Sequence, residues 1–184
     1  MRFNIASTLS LLAVLAASPA FAQDAATADN VFPTSEEIAD ETNGVVAHHG
    51  DWEIRCNPDG ENCRLFQAGF DVDGNEIANI SLQTLPEGSA AVLGVVVVTP
   101  LLTLLPRGVT MGVDEGVPAS YPYSWCDRQG CFARFGMTQG QVDSMKAGNA
   151  AYLSLYTIVD QSKEIRADVS LVGFTAAFND LMSR

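Results

Sequence analysis

The sequence predicts an all-β domain, a sandwich or a barrel, with one or two short helices. Short runs of alternating apolar and polar residues recur along the chain, and turn sequences such as Asn57-Pro58-Asp59-Gly60 and Asp73-Gly74 separate them. Many short strands with few helical patterns are typical of antiparallel β folds. Four cysteines form two short pairs behind an export signal, which indicates a domain that is cross-linked in an oxidising compartment.

The first 22 residues predict a cleaved secretory signal peptide. Arg2 precedes an apolar run over residues 5–17, and Ala20-Phe21-Ala22 fits an A-x-A cleavage site. The apolar run is too short to span a bilayer, so a cleaved signal is favoured over a membrane anchor. The mature chain is therefore expected to begin at Gln23, with no transmembrane segment after cleavage.

Two regions follow the signal. Residues 23–46 accumulate acidic side chains and contain no basic residue, which predicts an acidic, flexible leader. Residues 47–184 are expected to fold as one domain, a length sufficient to bury a core. The formal net charge of −12 argues against nucleic acid as a partner and against electrostatic binding to anionic lipid.

The alternating pattern places strands throughout this domain. Trp52, Ile54 and Cys56 share one face of the first strand. The longest apolar stretch, residues 92–105, is interpreted as a strand covered on both faces. The predicted strands are 51–56, 63–70, 77–84, 92–105, 109–114, 121–126, 131–135, 151–159 and 165–172.

Two helices are predicted. Thr138 and Gln141 fit a capping box at the start of the first helix, and Gly148 is expected to end it in a left-handed conformation. Apolar residues from Phe174 to Leu181 recur at helical spacing, which predicts a terminal helix from about residue 175.

The cysteine spacing favours two local disulfides, Cys56–Cys63 and Cys126–Cys131. Zinc sites prefer shorter spacings between paired ligands. A redox role would favour a C-x-x-C motif. The two crossed pairings are alternatives, because four cysteines allow three connectivities.

Several other motifs have structural explanations that are favoured over chemical ones. His48 and His49 are adjacent and are expected in an exposed linker, although Asp51 could join them as a metal ligand. The run 71–76 faintly resembles a calcium loop, but a hairpin turn explains it. Gly88-Ser89 lacks the G-x-S-x-G pattern of a serine hydrolase. No catalytic residue, metal ligand or cofactor is predicted.

Two surfaces are candidates for binding. The apolar stretch 90–105 could present an edge near residues 99–102 to a partner, an alternative to burial or to membrane insertion. Trp52, Tyr121, Tyr123 and Trp125 could bind carbohydrate, although core packing is the favoured explanation.

Ordered landmarks along the chain resemble those of the invasion-associated locus B family of bacterial exported proteins. They are Gly50-Asp51-Trp52-Glu53-Ile54-Arg55-Cys56, Cys63-Arg64-Leu65-Phe66-Gln67, the stretch 99–105 followed by Gly108 and Val113-Asp114, Cys126-Asp127-Arg128-Gln129-Gly130-Cys131, and Ser170-Leu171-Val172-Gly173-Phe174. The resemblance covers nearly all of residues 47–182. One departure is Leu102, which stands where the family usually has glycine.

The resemblance implies an immunoglobulin-like β-sandwich in the periplasm with both cysteine pairs oxidised. It also implies a link to host-cell entry in pathogenic relatives, and no known catalytic residues. We therefore expect a non-enzymatic binding protein whose partner is an unidentified envelope or host protein, with association with the outer membrane left open. The alternative is a structural or stress-protective envelope protein without a fixed ligand.

Overall fold

The computed structural model describes residues 44–184, and eleven strands lie within this range. The predicted signal peptide lies outside the described residues, as does the leader up to residue 43. The strands are β1 (Gly44–His49), β2 (Trp52–Cys56), β3 (Arg64–Phe70), β4 (Glu76–Thr84), β5 (Leu93–Thr99), β6 (Val109–Val113), β7 (Ala119–Tyr121), β8 (Tyr123–Cys126), β9 (Cys131–Met137), β10 (Ala150–Tyr156) and β11 (Glu164–Ser170).

Two α-helices accompany these strands, α1 (Gln139–Ala147) and α2 (Phe174–Ser183), together with a 3₁₀ turn at Leu105–Arg107. The capping box that begins α1 is present as predicted, since the Thr138 hydroxyl accepts from the Gln141 N–H and the Gln141 side chain accepts from Thr138 N. Helix α2 buries Phe174, Phe178 and Leu181 against β1–β4.

All strands pair antiparallel in a single sheet, in the order β7-β6-β10-β11-β3-β4-β5-β9-β8, with β2 joined to β3 and β1 to β2. The two end strands, β7 and β8, are consecutive in the chain and are separated by Pro122 alone. The first pairs with β6 and the second with β9. One segment of chain therefore joins both ends of the sheet, which curls into a nearly closed, barrel-like shape.

The all-β class is confirmed, but the immunoglobulin-like sandwich is not. A sandwich consists of two separate sheets packed face to face. Here the hydrogen-bonded path runs without interruption from β7 to β8. The sequence pattern indicates strands but does not determine which of them pair. The pairing of β7 with β6 and of β8 with β9 brings the two ends of the path to one segment of chain.

The sheet forks at β3. The start of β3 pairs with β2, while its end meets β11 only at Phe70 opposite Asp168. The buried Gln67 side chain bridges the fork, because its amide donates to the Ser170 carbonyl (3.1 Å) and accepts from the Ser170 N–H (2.6 Å). Trp52 Nε1 donates to the same carbonyl at 2.9 Å. Side chains thus replace the backbone ladder at this point.

Two glycines bring the chain close together beside this fork. Gly50 and Gly173 both have positive φ values, 59° and 85°. A Cβ on Gly173 would collide with the carbonyl oxygen of His49, and one on Gly50 would collide with the carbonyl oxygen of Val172. Neither position therefore tolerates a side chain, and the Asp51 N–H reaches the Val172 carbonyl at 3.1 Å.

Four local expectations are corrected by the structure. Gly148 ends α1 with an extended φ of −78°, not a left-handed one, and a Cβ there would lie 2.5 Å from Val113 Cγ1. The stretch 92–105 is not one strand, and the outer face of β5 is only half-buried. The predicted strand 121–126 is two strands. Strand β1 begins at Gly44, so the last three residues assigned to the leader are in the sheet.

Replacement of Gln67 by alanine should destabilise the fold by about 2 kcal/mol, because the Ser170 N–H loses its partner and the Ser170 carbonyl keeps only the bond from Trp52. Urea unfolding of the oxidised chain measures this loss. The matched control is Gln83→Ala, since Gln83 is exposed on the neighbouring strand β4. Equal stability of the two variants would contradict the bridging role of the amide.

Candidate functional site

Two loops at one end of the sheet are hydrogen-bonded to each other. Residues 100–108 connect β5 to β6, and residues 157–163 connect β10 to β11. The Leu104 N–H donates to the Tyr156 carbonyl at 2.7 Å, and the Ile158 N–H donates to the Leu102 carbonyl at 2.9 Å. These bonds hold the two loops as one surface.

This surface exposes large apolar side chains, each between 45% and 80% accessible to solvent. Single exposed apolar residues are ordinary, whereas a group of them on one rigid surface is typical of an interaction site. We call this group the apolar loop patch, and its members are Leu101, Leu102, Leu105, Ile158 and Val159.

Leu102 adopts a left-handed backbone conformation, with φ at +72°. This conformation costs a residue with a Cβ roughly 1–2 kcal/mol, and glycine avoids the cost. The glycine that the family resemblance leads us to expect here would therefore suit the turn better. The turn survives with leucine, and the leucine side chain is 59% exposed.

Buried hydroxyl groups support the patch from below. Thr99 Oγ1 lies 3.1 Å from Thr103 Oγ1, which donates to the Pro100 carbonyl at 2.7 Å. Thr99 also bonds to the hydroxyl of Tyr123 at 3.2 Å. Burial raises the pKa of Tyr123, which keeps its hydroxyl neutral. The network ties loop 100–108 to β5 and β8.

Charges around the patch are balanced, in contrast to the chain as a whole. The two loops and the first residue of β11 carry two cations and two anions: Arg107, Lys163, Asp160 and Glu164. The Arg107 guanidinium also lies over the ring of Tyr156, 4.4 Å from its centroid. The patch is therefore an apolar centre with a locally neutral rim on an acidic protein.

The predicted cysteines form the two local disulfides, Cys56–Cys63 and Cys126–Cys131. The second links the ends of β8 and β9, where the rings of Trp125 and Phe132 stack at 4.9 Å. Both bonds staple neighbouring strands.

The histidines lie on β1, so the linker expected there is corrected. His49 Nε2 lies 2.8 Å from Asp180 Oδ2 on α2, and Asp180 also pairs with Arg184 at 3.0 Å. These two partners lower the pKa of Asp180 below its ordinary value. The contact connects the edge strand to the terminal helix. Across residues 44–184, no three His, Cys, Asp or Glu side chains are grouped as a metal site requires.

The calcium-like run forms a turn. Asp71 Oδ1 accepts from the N–H groups of Asp73 and Asn75, and Gly74 has a positive φ of 82°. The four aromatic residues do not share one face, because Trp52 is fully buried at the fork while the other three lie along β7 and β8. In the described range 44–184, no helix is long and apolar enough to cross a bilayer.

A polar groove of about 1040 Å³ lies over the fork between β2 and β11. Two ion pairs line it, Arg55–Glu53 at 2.7 Å and Arg166–Asp168 at 3.1 Å. Each arginine also stacks on a ring, Arg55 on Phe66 at 3.5 Å and Arg166 on Tyr152 at 3.8 Å. Because both guanidinium groups already hold a carboxylate, the groove offers a ligand less charge than its residue types suggest.

The sequence predicts only part of the patch. The hypothesis of a partner edge near residues 99–102 includes Leu101 and Leu102 but not Leu105. It also omits Ile158 and Val159, the last two residues of the predicted strand 151–159, whereas β10 ends at Tyr156. The turn sequence Asp160-Gln161-Ser162 marks the end of the predicted strand at residue 159. It does not show that β10 ends at Tyr156, because that earlier end goes with the contact of Ile158 with the distant residue Leu102.

The sequence and the fold both resemble those of known proteins. The model of the family described as Invasion associated locus B (IalB) protein matches residues 52–182. The chain belongs to the IalB family. A crystal structure of invasion associated protein B from Bartonella henselae is similar, with a TM-score of 0.66 and 20% identity, and the match covers 76% of this chain and 97% of that one. At that identity the likeness shows the fold alone. No curated protein matches the chain.

Replacement of Leu102 by glycine in this IalB-family chain should raise the free energy of unfolding by about 0.5–1 kcal/mol. Relief of the left-handed strain exceeds the added entropy of the unfolded chain. Urea unfolding measures the gain. Leu102→Ala is the control, because alanine removes the same side chain but keeps the Cβ. If alanine stabilised the chain as much as glycine, backbone strain would not be the cause.

Replacement of Asp180 by asparagine should flatten the loss of stability in acid. The lowered pKa means that this carboxylate contributes stability above its ordinary pKa of 3.8, and the contribution is lost as pH falls through the lower value of the folded state. Unfolding measured from pH 6 to pH 2 tests this. Glu115→Gln, at an exposed position, is the control. If Asp180→Asn lost stability between pH 6 and pH 2 as steeply as the wild type, the Asp180 carboxylate would not be a source of that loss.

Proposed function

We propose that this protein is an exported, non-enzymatic binding protein of the cell envelope that docks a protein partner through the apolar loop patch. The proposal includes export to the periplasm by the N-terminal signal. The partner is an envelope or host protein. The family and the Bartonella relative are both described as invasion associated, and the proposal extends that association to this chain.

The observation that carries the proposal is Leu102. It presents a large apolar side chain to solvent from a backbone conformation that leucine disfavours. Folding alone gains little from such a residue, since most of the side chain is not buried. A partner that covered it would gain about 1.5–3 kcal/mol from a fully buried leucine.

The surroundings of Leu102 support a binding role in place of catalysis. None of the five side chains of the patch carries a group that could act as an acid, a base or a nucleophile. The loops are fixed to each other by backbone hydrogen bonds and to the sheet by the Thr99–Thr103 network. A surface held in place before binding loses little entropy when a partner docks.

The charges at the rim of the patch indicate what kind of surface the partner should present. The rim of the patch is neutral while the chain carries −12, so attraction between opposite net charges does not guide this contact. The partner should present an apolar, weakly charged surface. Its binding should therefore depend little on salt, since screening acts on charges.

The experiment compares three forms of the oxidised protein in crosslinking capture from envelope extract of its own cells. They are the wild type, the double variant Leu102→Ser with Ile158→Ser, and the control Val117→Ser. Val117 is 98% exposed and lies away from the patch. We expect a saturable partner that the control retains and that the double variant binds at least tenfold more weakly, because two apolar contacts of more than about 1 kcal/mol each are lost.

Two results would overturn the proposal. A partner held equally by all three forms docks elsewhere. Empty capture by the wild type, under native and under stress conditions, would favour the stress-protective alternative, and a growth defect of a deletion strain under envelope stress would then support it. Circular dichroism of each variant establishes that the fold is intact.

A further inference from the structure

A cavity of about 140 Å³ lies between the β6–β7 hairpin and helix α1. Three buried methionines line it, Met111 from β6, Met137 from the end of β9 and Met145 from α1. The whole sequence contains five methionines. The concentration of three at one cavity provides a flexible, polarisable wall that adapts to the shape of an apolar guest.

The lining of this cavity is uncharged. Among the described residues that form it, none is Asp, Glu, Lys, Arg or His. Val117 forms part of the wall and is 98% exposed, so the cavity reaches solvent at the turn between β6 and β7. A charged ligand would have no partner here and would lose its hydration, whereas a neutral apolar molecule would leave water for thioether and aliphatic groups.

One polar group in the wall is fixed in position. The ring of Tyr121 stacks on Phe135 with centroids 3.5 Å apart. Its hydroxyl accepts a hydrogen bond from Gln141 Nε2 at 2.7 Å. The other end of that amide accepts from Thr138 N at 2.9 Å in the capping box of α1. The helix cap therefore determines which way the Gln141 amide faces.

This arrangement leaves the Tyr121 proton available. The hydroxyl already accepts from Gln141, and a phenol has one proton to donate. Within residues 44–184 no acceptor takes that proton. The cavity thus combines a methionine-lined wall with two neighbouring donors, the Tyr121 hydroxyl and the second N–H of the Gln141 amide.

We propose that this cavity binds a small, neutral, mainly apolar molecule about the size of a substituted benzene ring, with one acceptor oxygen that takes the Tyr121 proton. A cavity of about 150 Å³ lined by apolar groups in another protein holds benzene, so the volume here fits this class. Pockets of this kind combine apolar walls with few polar groups that set the orientation of the ligand. The site shares no residue with the apolar loop patch, so it does not depend on the proposed docking function.

The test uses the chain with ¹³C-labelled methionine methyl groups, observed by NMR during titration with acetophenone. The expected result is a saturable shift of the Met111, Met137 and Met145 signals, with Met182 unmoved as an internal control on α2. Isopropylbenzene has a similar size and no acceptor oxygen. It should cause shifts of the same three signals with a weaker affinity.

Two variants separate shape from hydrogen bonding. Tyr121→Phe keeps the ring and should weaken acetophenone binding about three- to tenfold, the range for one neutral hydrogen bond, without changing the affinity for isopropylbenzene. Ser144→Leu, on α1 at the cavity wall, should fill the space and abolish binding of both probes. The methionine spectrum without ligand reports whether each variant is folded.

Three results would overturn the proposal. One is the absence of a saturable shift up to the solubility limit of acetophenone, and another is an equal shift of Met182, which indicates nonspecific contact. The third is a response of the three methionines to silver ions but not to acetophenone, which would make the thioethers a soft metal site. Leu102→Ser, which removes one member of the apolar loop patch, should leave acetophenone binding unchanged.

Discussion

The structure depends on a single strand segment that serves both ends of the sheet. Residues 119–126 pair first with β6 and then with β9, and Pro122 stands where the pairing changes. Proline has no N–H to donate and a fixed φ, so it interrupts a ladder at the position where the chain must leave one strand for another. The covalent chain therefore closes the sheet where backbone hydrogen bonds do not.

The same segment contributes a tyrosine to each of the two candidate sites, the methionine-lined cavity and the apolar loop patch. Tyr121, before the proline, stacks on Phe135 and bonds to Gln141 at the methionine-lined cavity. Tyr123, after it, bonds to Thr99 beneath the apolar loop patch. The second break in the sheet, at the fork of β3, is bridged differently, because Gln67 and Trp52 satisfy Ser170 with side chains. Specific polar contacts thus hold both breaks in the sheet, at Pro122 and at the fork of β3. The methionine-lined cavity and the apolar loop patch lie beside the first of them.

Local features of this fold can be read from the sequence, whereas features set by distant partners cannot. The capping box of α1 and the hairpin at Gly74 involve residues within four positions of each other, and both are present. The immunoglobulin-like sandwich that the resemblance implied is not confirmed, and the strand pattern alone left sandwich or barrel open, because strand order depends on pairs far apart in sequence, such as Phe70 with Asp168. Gly148 was misassigned because its neighbour is Val113, a distant residue that excludes a Cβ. Two of the five patch residues, Leu101 and Leu102, were predicted from the apolar stretch. Ile158 and Val159 could not be, because the pairing of β10 with β6 and β11 determines where β10 ends.

Leu102 costs the isolated domain stability, and only the proposed docking would give its side chain a favourable role. Its backbone strain is local and independent of any partner, and its side chain is mostly in water, so the isolated domain gains little from leucine at this position. Leu101 and Ile158 differ from it, since both expose apolar surface from ordinary backbone conformations. A residue that only closed the turn would be replaced by glycine with a gain in stability. A residue that contacts a partner offsets the free energy of the backbone strain by the apolar surface that it buries in the complex. The cost of this side chain to folding, set against the gain that the proposed docking would give, is therefore the physical argument for the proposal that this loop is a contact surface.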